Sequence, residues 1–186
     1  MSNLRHAVTV IVLIGLAGIV IAAAFDHKVD RPAASAEPDF SMAVKDYKTW
    51  THVNSEPYRM SRAVMLACSA PKPGQISPHT SPDAYIEVYV NPAGRAAMFS
   101  RERIAFPEGT IIVKEKHHSE EEPDPELLTV MLKRAKGYNP ETGDWDFAVL
   151  DGKAGAVQAQ GKLENCIACH KTIPSTDYVF RPYLPR

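Results

Sequence analysis

The sequence predicts an α+β, β-dominated domain: an antiparallel sheet with a few helices, the last of them near the C-terminus. Three observations carry this expectation. Four segments between residues 84 and 152 have strand patterning and are bounded by Pro, Gly, Asn or Asp. Helices do not alternate with those strands, so the βαβ rhythm of a parallel sheet is missing. Residues 162–171 then read as one short helix. Of the 186 residues, the first 36 do not look globular, which leaves 37–186, near the usual size of one domain with one core. A formal net charge of −1 gives no electrostatic case for nucleic acid as a partner.

The N-terminus reads as a targeting segment. Arg5 and His6 precede the uncharged stretch "AVTVIVLIGLAGIVIAAA", Ala7 to Ala24. A basic start, an apolar run and small residues at its end resemble a secretory signal. About 18 apolar residues is also near the minimum for a spanning helix, so a retained membrane anchor is the alternative. Either outcome, with Arg5 kept in the cytoplasm, exports the rest of the chain. "RPAASAE", Arg31 to Glu37, has the composition of a linker.

A first helix is predicted next, capped by Ser41, with Ala43, Tyr47 and Trp50 on one face. "AVMLACSAP" fits a strand or a helical turn, and its Cys68 reads as a small buried hydrophobe. "KPGQISPHTSP" is a proline-broken loop. "AYIEVYV" alternates, with Ile86, Val88 and Val90 on one face and Tyr85, Glu87 and Tyr89 on the other. A short helix through "AGRAAMFSRE" separates it from "GTIIVKEK", which sets Ile111, Val113 and Glu115 opposite Thr110, Ile112, Lys114 and Lys116. Lys114 and Lys116 have the look of edge or surface lysines with solvated ends. "KHHSEEEPDPE" reads as a solvated acidic loop; a surface metal site at His117 and His118 is the alternative, and nothing nearby completes its ligand set. "ELLTVMLKR" and "DWDFAVLDG" are the remaining strands.

The last helix holds the strongest chemical signal, Cys166-Ile167-Ala168-Cys169-His170. Two thiols at this spacing each add to one vinyl group of haem, and the adjacent histidine reaches the iron. A zinc site would need a fourth ligand without a second paired motif. A thioredoxin-like redox pair would need a βαβ setting. Covalent haem is therefore the expected cofactor, one per chain, with Cys166 and Cys169 as attachment points and His170 as the axial iron ligand. With two of three cysteines so used, the chain is not a disulfide scaffold. An electron-transfer cytochrome c closes its coordination sphere with a methionine well downstream. From Lys171 to Arg186 there is neither Met nor His. Met42, Met60, Met65, Met98 and Met131 lie upstream, with Met98 and Met131 in patterns that suit core packing, so the distal iron position is expected to be open.

Five pieces in order, "YKTW", "EVYVNP", "FPEGTIIVKE", "NPETGDWDF" and "ENCIACHKTIPSTDYVF", resemble the cytochrome P-460 family and its relative cytochrome c′-beta, from about Tyr47 to Phe180. The resemblance implies a periplasmic, homodimeric protein on an antiparallel sheet, with a five-coordinate haem c. It implies hydroxylamine oxidation to nitrous oxide or nitric oxide products, with a small cytochrome c as electron acceptor. In cytochromes P-460 a lysine is joined to a meso carbon of the porphyrin, and the match with "GTIIVKE" puts it at Lys114. The c′-beta relatives lack that link and bind nitric oxide and carbon monoxide, so a gas-binding or electron-transfer cytochrome is the alternative. Glu87 stands near where some members carry a basic residue and is read as facing solvent; Tyr178 and Phe180 are read as packing around the haem.

Overall fold

Alternating strands that are apolar on both faces need cover on both, and this dictates the architecture. The computed structural model describes residues 37–60 and 84–184. Among these, seven strands form one antiparallel sheet: β1 (Thr51–His52), β2 (Tyr58–Arg59), β3 (Tyr85–Val90), β4 (Ile111–His117), β5 (Leu127–Lys133), β6 (Trp145–Asp151) and β7 (Val157–Gly161). The order is β1-β3-β4-β5-β6-β7, with β2 also paired to β3. From β3 onward each strand pairs with its neighbour in sequence, as short turns between antiparallel strands allow.

Period-two alternation sorts the side chains into two cores. One face of β3 to β6 carries Ile86, Val88, Ile112, Met131, Trp145 and Phe147, packed with Met98, Phe106 and Val179. The opposite face carries Tyr89, Val113, Leu128, Val130, Ala148 and Leu150. Helix α1 (Phe40–Val44) and the following 3-10 turn at Tyr47–Thr49 cover that second face through Phe40, Val44 and Tyr47. Helix α2 (Arg95–Phe99) follows β3, and helix α3 (Glu164–His170) follows β7.

The four predicted strands, the helix after β3 and the last helix are present; the first helix, expected to carry Ala43, Tyr47 and Trp50 on one face, ends at Val44, and Tyr47 lies in the separate 3-10 turn. Three further details differ from the sequence expectation. The cap of α1 is Asp39, which accepts from the Met42 N–H at 3.2 Å; Ser41 donates its hydroxyl to Asp39 and braces the cap. β1 and β2 are two-residue strands too short for a period to show. β7 was not expected either, because Gln158 and Gln160 alternate with just Val157 and Ala159, too short a run for a clear apolar face. Residues 7–24 and Cys68 lie outside the described residues, and no described helix is long and apolar enough to cross a membrane.

Candidate haem site

α3 puts Cys166, Cys169 and His170 at i, i+3 and i+4, one face of a helix. All three line a cavity of about 240 Å³, and its opposite wall is the first sheet face, with Ile86, Val88, Ile112, Met131 and Phe147. None of the α3 residues is fully buried, although Cys166 and Ile167 pack against the core: their inner side gives onto the cavity.

The orientation of His170 is fixed from behind. Its Nδ1 lies 2.6 Å from the carbonyl oxygen of Tyr178. A carbonyl only accepts, so Nδ1 carries the hydrogen and Nε2 carries the lone pair, the tautomer an iron ligand needs. Phe147 and Phe180 hold the ring, with centroids 5.2 and 5.3 Å from it. Phe180, expected to pack around the haem, packs here on the histidine. Tyr178 contributes something different, its backbone carbonyl.

That carbonyl sits in an unusual turn. Asp177 and Tyr178 both have positive φ, 51° and 64°, a left-handed conformation disfavoured for residues with a Cβ. The turn is tied down on every side. Lys133, at the end of β5, donates to both carboxylate oxygens of Asp177 at 2.8 and 2.7 Å. The Phe106 N–H donates to the same carboxylate at 2.8 Å. The Trp145 indole N–H donates to the Asp177 carbonyl at 2.8 Å, and the Lys133 ammonium lies 5.0 Å above the Trp145 ring. Gly143 packs directly beneath: a Cβ there would come within 2.6 Å of the Tyr178 ring.

Lys114 is half-buried on β4 and lines the same cavity as the motif. Its cross-strand neighbours are Val88 and Thr129. Lys116 corrects an expectation. It is 1% exposed rather than solvated, and its ammonium pairs with Glu126 at 2.8 Å, because the loop before β5 folds back over the strand. Met131 forms part of the buried wall and Met98 is wholly buried, both as packing residues; Met60 is half-buried at the cavity. Burial pushes the Tyr183 phenol, also at the cavity, far above its ordinary pKa.

Glu87 points away from the cavity, on the Tyr89 face, and is not simply solvated. Its carboxylate accepts from the Tyr89 hydroxyl at 3.1 Å. Nearby Glu115 is wholly buried and accepts from the Tyr47 hydroxyl at 2.6 Å and from the Lys48 ammonium. Burial and then this hydrogen bond push the Tyr47 phenol upward. His117, expected in a loop, ends β4 and is buried, with Nδ1 donating to the Glu122 carbonyl at 2.9 Å and Nε2 3.0 Å from Glu115. The strand runs further than the composition of "KHHSEEE" suggests; the solvated loop begins at His118. Donor atoms of Glu87, Glu115 and His117 lie within 4.8 Å of one another, a spacing a metal could bridge. Lys48 and Tyr47 already supply Glu115 with a counter-charge and a donor, so the cluster satisfies itself as an ion-pair network.

Residues 44–181 match the family model described as Cytochrome P460. The chain belongs to the cytochrome P460 family. Members of this family are haem proteins, and the site suits that group. Two thiols one helical turn apart, an imidazole with its Nδ1–H already committed and an apolar opposite wall form a donor set and cradle for haem. No curated protein matches the chain. The family match spans the sheet, the motif helix and the turn at Asp177 and Tyr178. Sequence reasoning named Cys166, Cys169, His170 and Lys114, and all four line one cavity. It missed Lys133 and Asp177. The signal available was faint: an Asp in "STDYVF", a residue type that tolerates left-handed backbone.

Proposed function

We propose that this chain is a periplasmic haem c protein that oxidises hydroxylamine to nitrous oxide or nitric oxide products. Haem bound here would supply an electron-accepting iron with one open coordination position. Cys166 and Cys169 would hold the group covalently and His170 would bind the iron through Nε2. The observation that carries the reading is Lys114: of the two lysines on this face of β4, it is the one that lines the cavity with the haem motif. An amine at that apolar wall is placed for attachment to the macrocycle. Ile86, Val88 and Phe147 would exclude water from the same space. A small cytochrome c is the electron acceptor in this reading, and the protein acts as a homodimer.

One observation favours the second reading, a nitric oxide-binding or electron-transfer cytochrome of the c′-beta type. Among the described residues the cavity lining includes no carboxylate to accept protons from hydroxylamine, since Glu87 lies on the other face. Lys114→Ala separates the two readings. In the enzyme, the variant retains haem through its cysteines, gains the spectrum of an ordinary five-coordinate haem c and loses hydroxylamine oxidation. Peptide mass spectrometry of the unaltered protein should then find the β4 peptide joined to the haem peptide. An unaltered protein that does not turn over hydroxylamine, with a spectrum that Lys114→Ala leaves unchanged, would give the case to the gas binder.

A further inference from the structure

We propose that Lys133 and Asp177 are positioning residues for the proximal histidine, which set how strongly His170 donates to iron. The inference rests on the reading of His170 as the axial ligand and concerns residues that never touch the haem in that reading.

The chain of contacts is short and directional. His170 Nδ1–H donates to the Tyr178 carbonyl at 2.6 Å, a short bond for a nitrogen donor. A strongly held Nδ1–H gives the imidazole partial imidazolate character and makes Nε2 a better donor. The strength of that bond depends on where the carbonyl points. Its position depends in turn on two successive left-handed residues, Asp177 and Tyr178, each unfavourable without support. Four hydrogen bonds from distant elements converge on Asp177: two from the Lys133 ammonium, one from the Phe106 N–H and one from the Trp145 indole. The Lys133 and Asp177 side chains are only 12% and 15% exposed, so water does little to screen the pair. β5 and β6 thereby anchor the turn to the rigid sheet. A neutral or displaced residue at 133 would leave the Asp177 carboxylate without its counter-charge and free the turn to relax, lengthening the bond to His170.

The effect on haem has a definite sign. Weaker donation from Nε2 favours the ferrous over the ferric state and weakens the iron–histidine bond. The test uses purified protein with haem attached, Lys133→Met, Lys133→Arg and Asp177→Asn, a redox titration, and resonance Raman of the ferrous form. Lys133→Met should move the ferric–ferrous equilibrium toward ferrous on the order of tenfold and lower the iron–histidine stretch. Lys133→Arg, which keeps a two-pronged donor for the carboxylate, should restore most of both values. Asp177→Asn keeps a residue tolerant of the left-handed turn and loses only the charge; it should shift in the same direction, and it carries the test if Lys133→Met does not fold. Folded variants with haem attached and both readouts unchanged overturn the proposal while leaving the haem reading intact. An unaltered protein that takes up no haem overturns both.

Discussion

Gly143→Ala probes the turn behind His170 without replacing a charged residue. Gly143 has φ +62°, so alanine there pays a left-handed backbone cost of about 1–2 kcal/mol. Its Cβ would also lie 2.6 and 2.7 Å from two Tyr178 ring atoms and 2.9 Å from an Asp177 carboxylate oxygen. Ordinary carbon contacts are about 3.5–4.0 Å, so the ring must retreat by roughly 1 Å. Overpacking of this kind costs about 1–3 kcal/mol. Gly109→Ala is the internal control: φ is +81° and an added Cβ meets nothing within 4 Å, so only the backbone cost applies. For a domain of this size, ~1 kcal/mol corresponds to ~2–4 °C in Tm. Gly109→Ala should therefore lower Tm by roughly 2–8 °C and Gly143→Ala by roughly 4–20 °C, with the difference between them reporting the clash. Thermal unfolding followed by circular dichroism measures both. If the two variants lose the same stability, the Tyr178 ring is not pressed against Gly143 and the packing argument for the turn fails.

Replacing Cys166 and Cys169 together with alanine should abolish haem staining after denaturing electrophoresis; staining that survived acid-acetone extraction would rule out thioether attachment at these positions. Glu126→Gln leaves the Lys116 ammonium buried beside a neutral amide and, with Glu126 itself partly exposed, should cost about 1–3 kcal/mol, whereas Lys116→Met should cost less, because a buried ion pair is often replaceable by an apolar residue. Urea unfolding distinguishes the two, and neither change should move the Soret band. Arg181 Nη1 reaches the carbonyls of Met98 and Ser100 at 2.7 and 2.9 Å, closing the end of α2. Arg181→Met should cost on the order of 2 kcal/mol and speed proteolytic trimming of the C-terminal segment, visible by intact-mass spectrometry.

The sheet was legible wherever the contrast between its faces was chemical. Ile86, Val88 and Val90 against Tyr85, Glu87 and Tyr89 define β3 unaided, and "GTIIVKEK" puts Lys114 on the correct face. β7 was hidden because its glutamines alternate with just Val157 and Ala159, too short a run to show such contrast. Burial of Lys116 was hidden for another reason: alternation assigns a face, but a returning loop decides whether that face sees water, and Glu126 comes from ten residues along the chain. Asp39 and Ser41 are both good caps, and only backbone geometry selects between them. The haem motif was fully readable because its chemistry is local. The Tyr178 carbonyl was not, since every residue has one; what distinguishes it is a pair of left-handed dihedrals set by Lys133, Phe106 and Trp145, all far away in sequence.

The division of the cavity along the chain has a temporal side. Its wall comes from residues 58–148 and its gripping residues from 165 onward. The wall is a meander in which successive strands meet their nearest neighbours, the kind of contact that closes quickly and does not wait for distant sequence. Synthesis runs from the N-terminus, so the strands of the wall are made before the helix that faces them. Cys166 and Cys169 are thus synthesised after every residue of that wall. If haem is attached through those thiols as proposed, the group is joined to a part of the chain made after the wall that faces it.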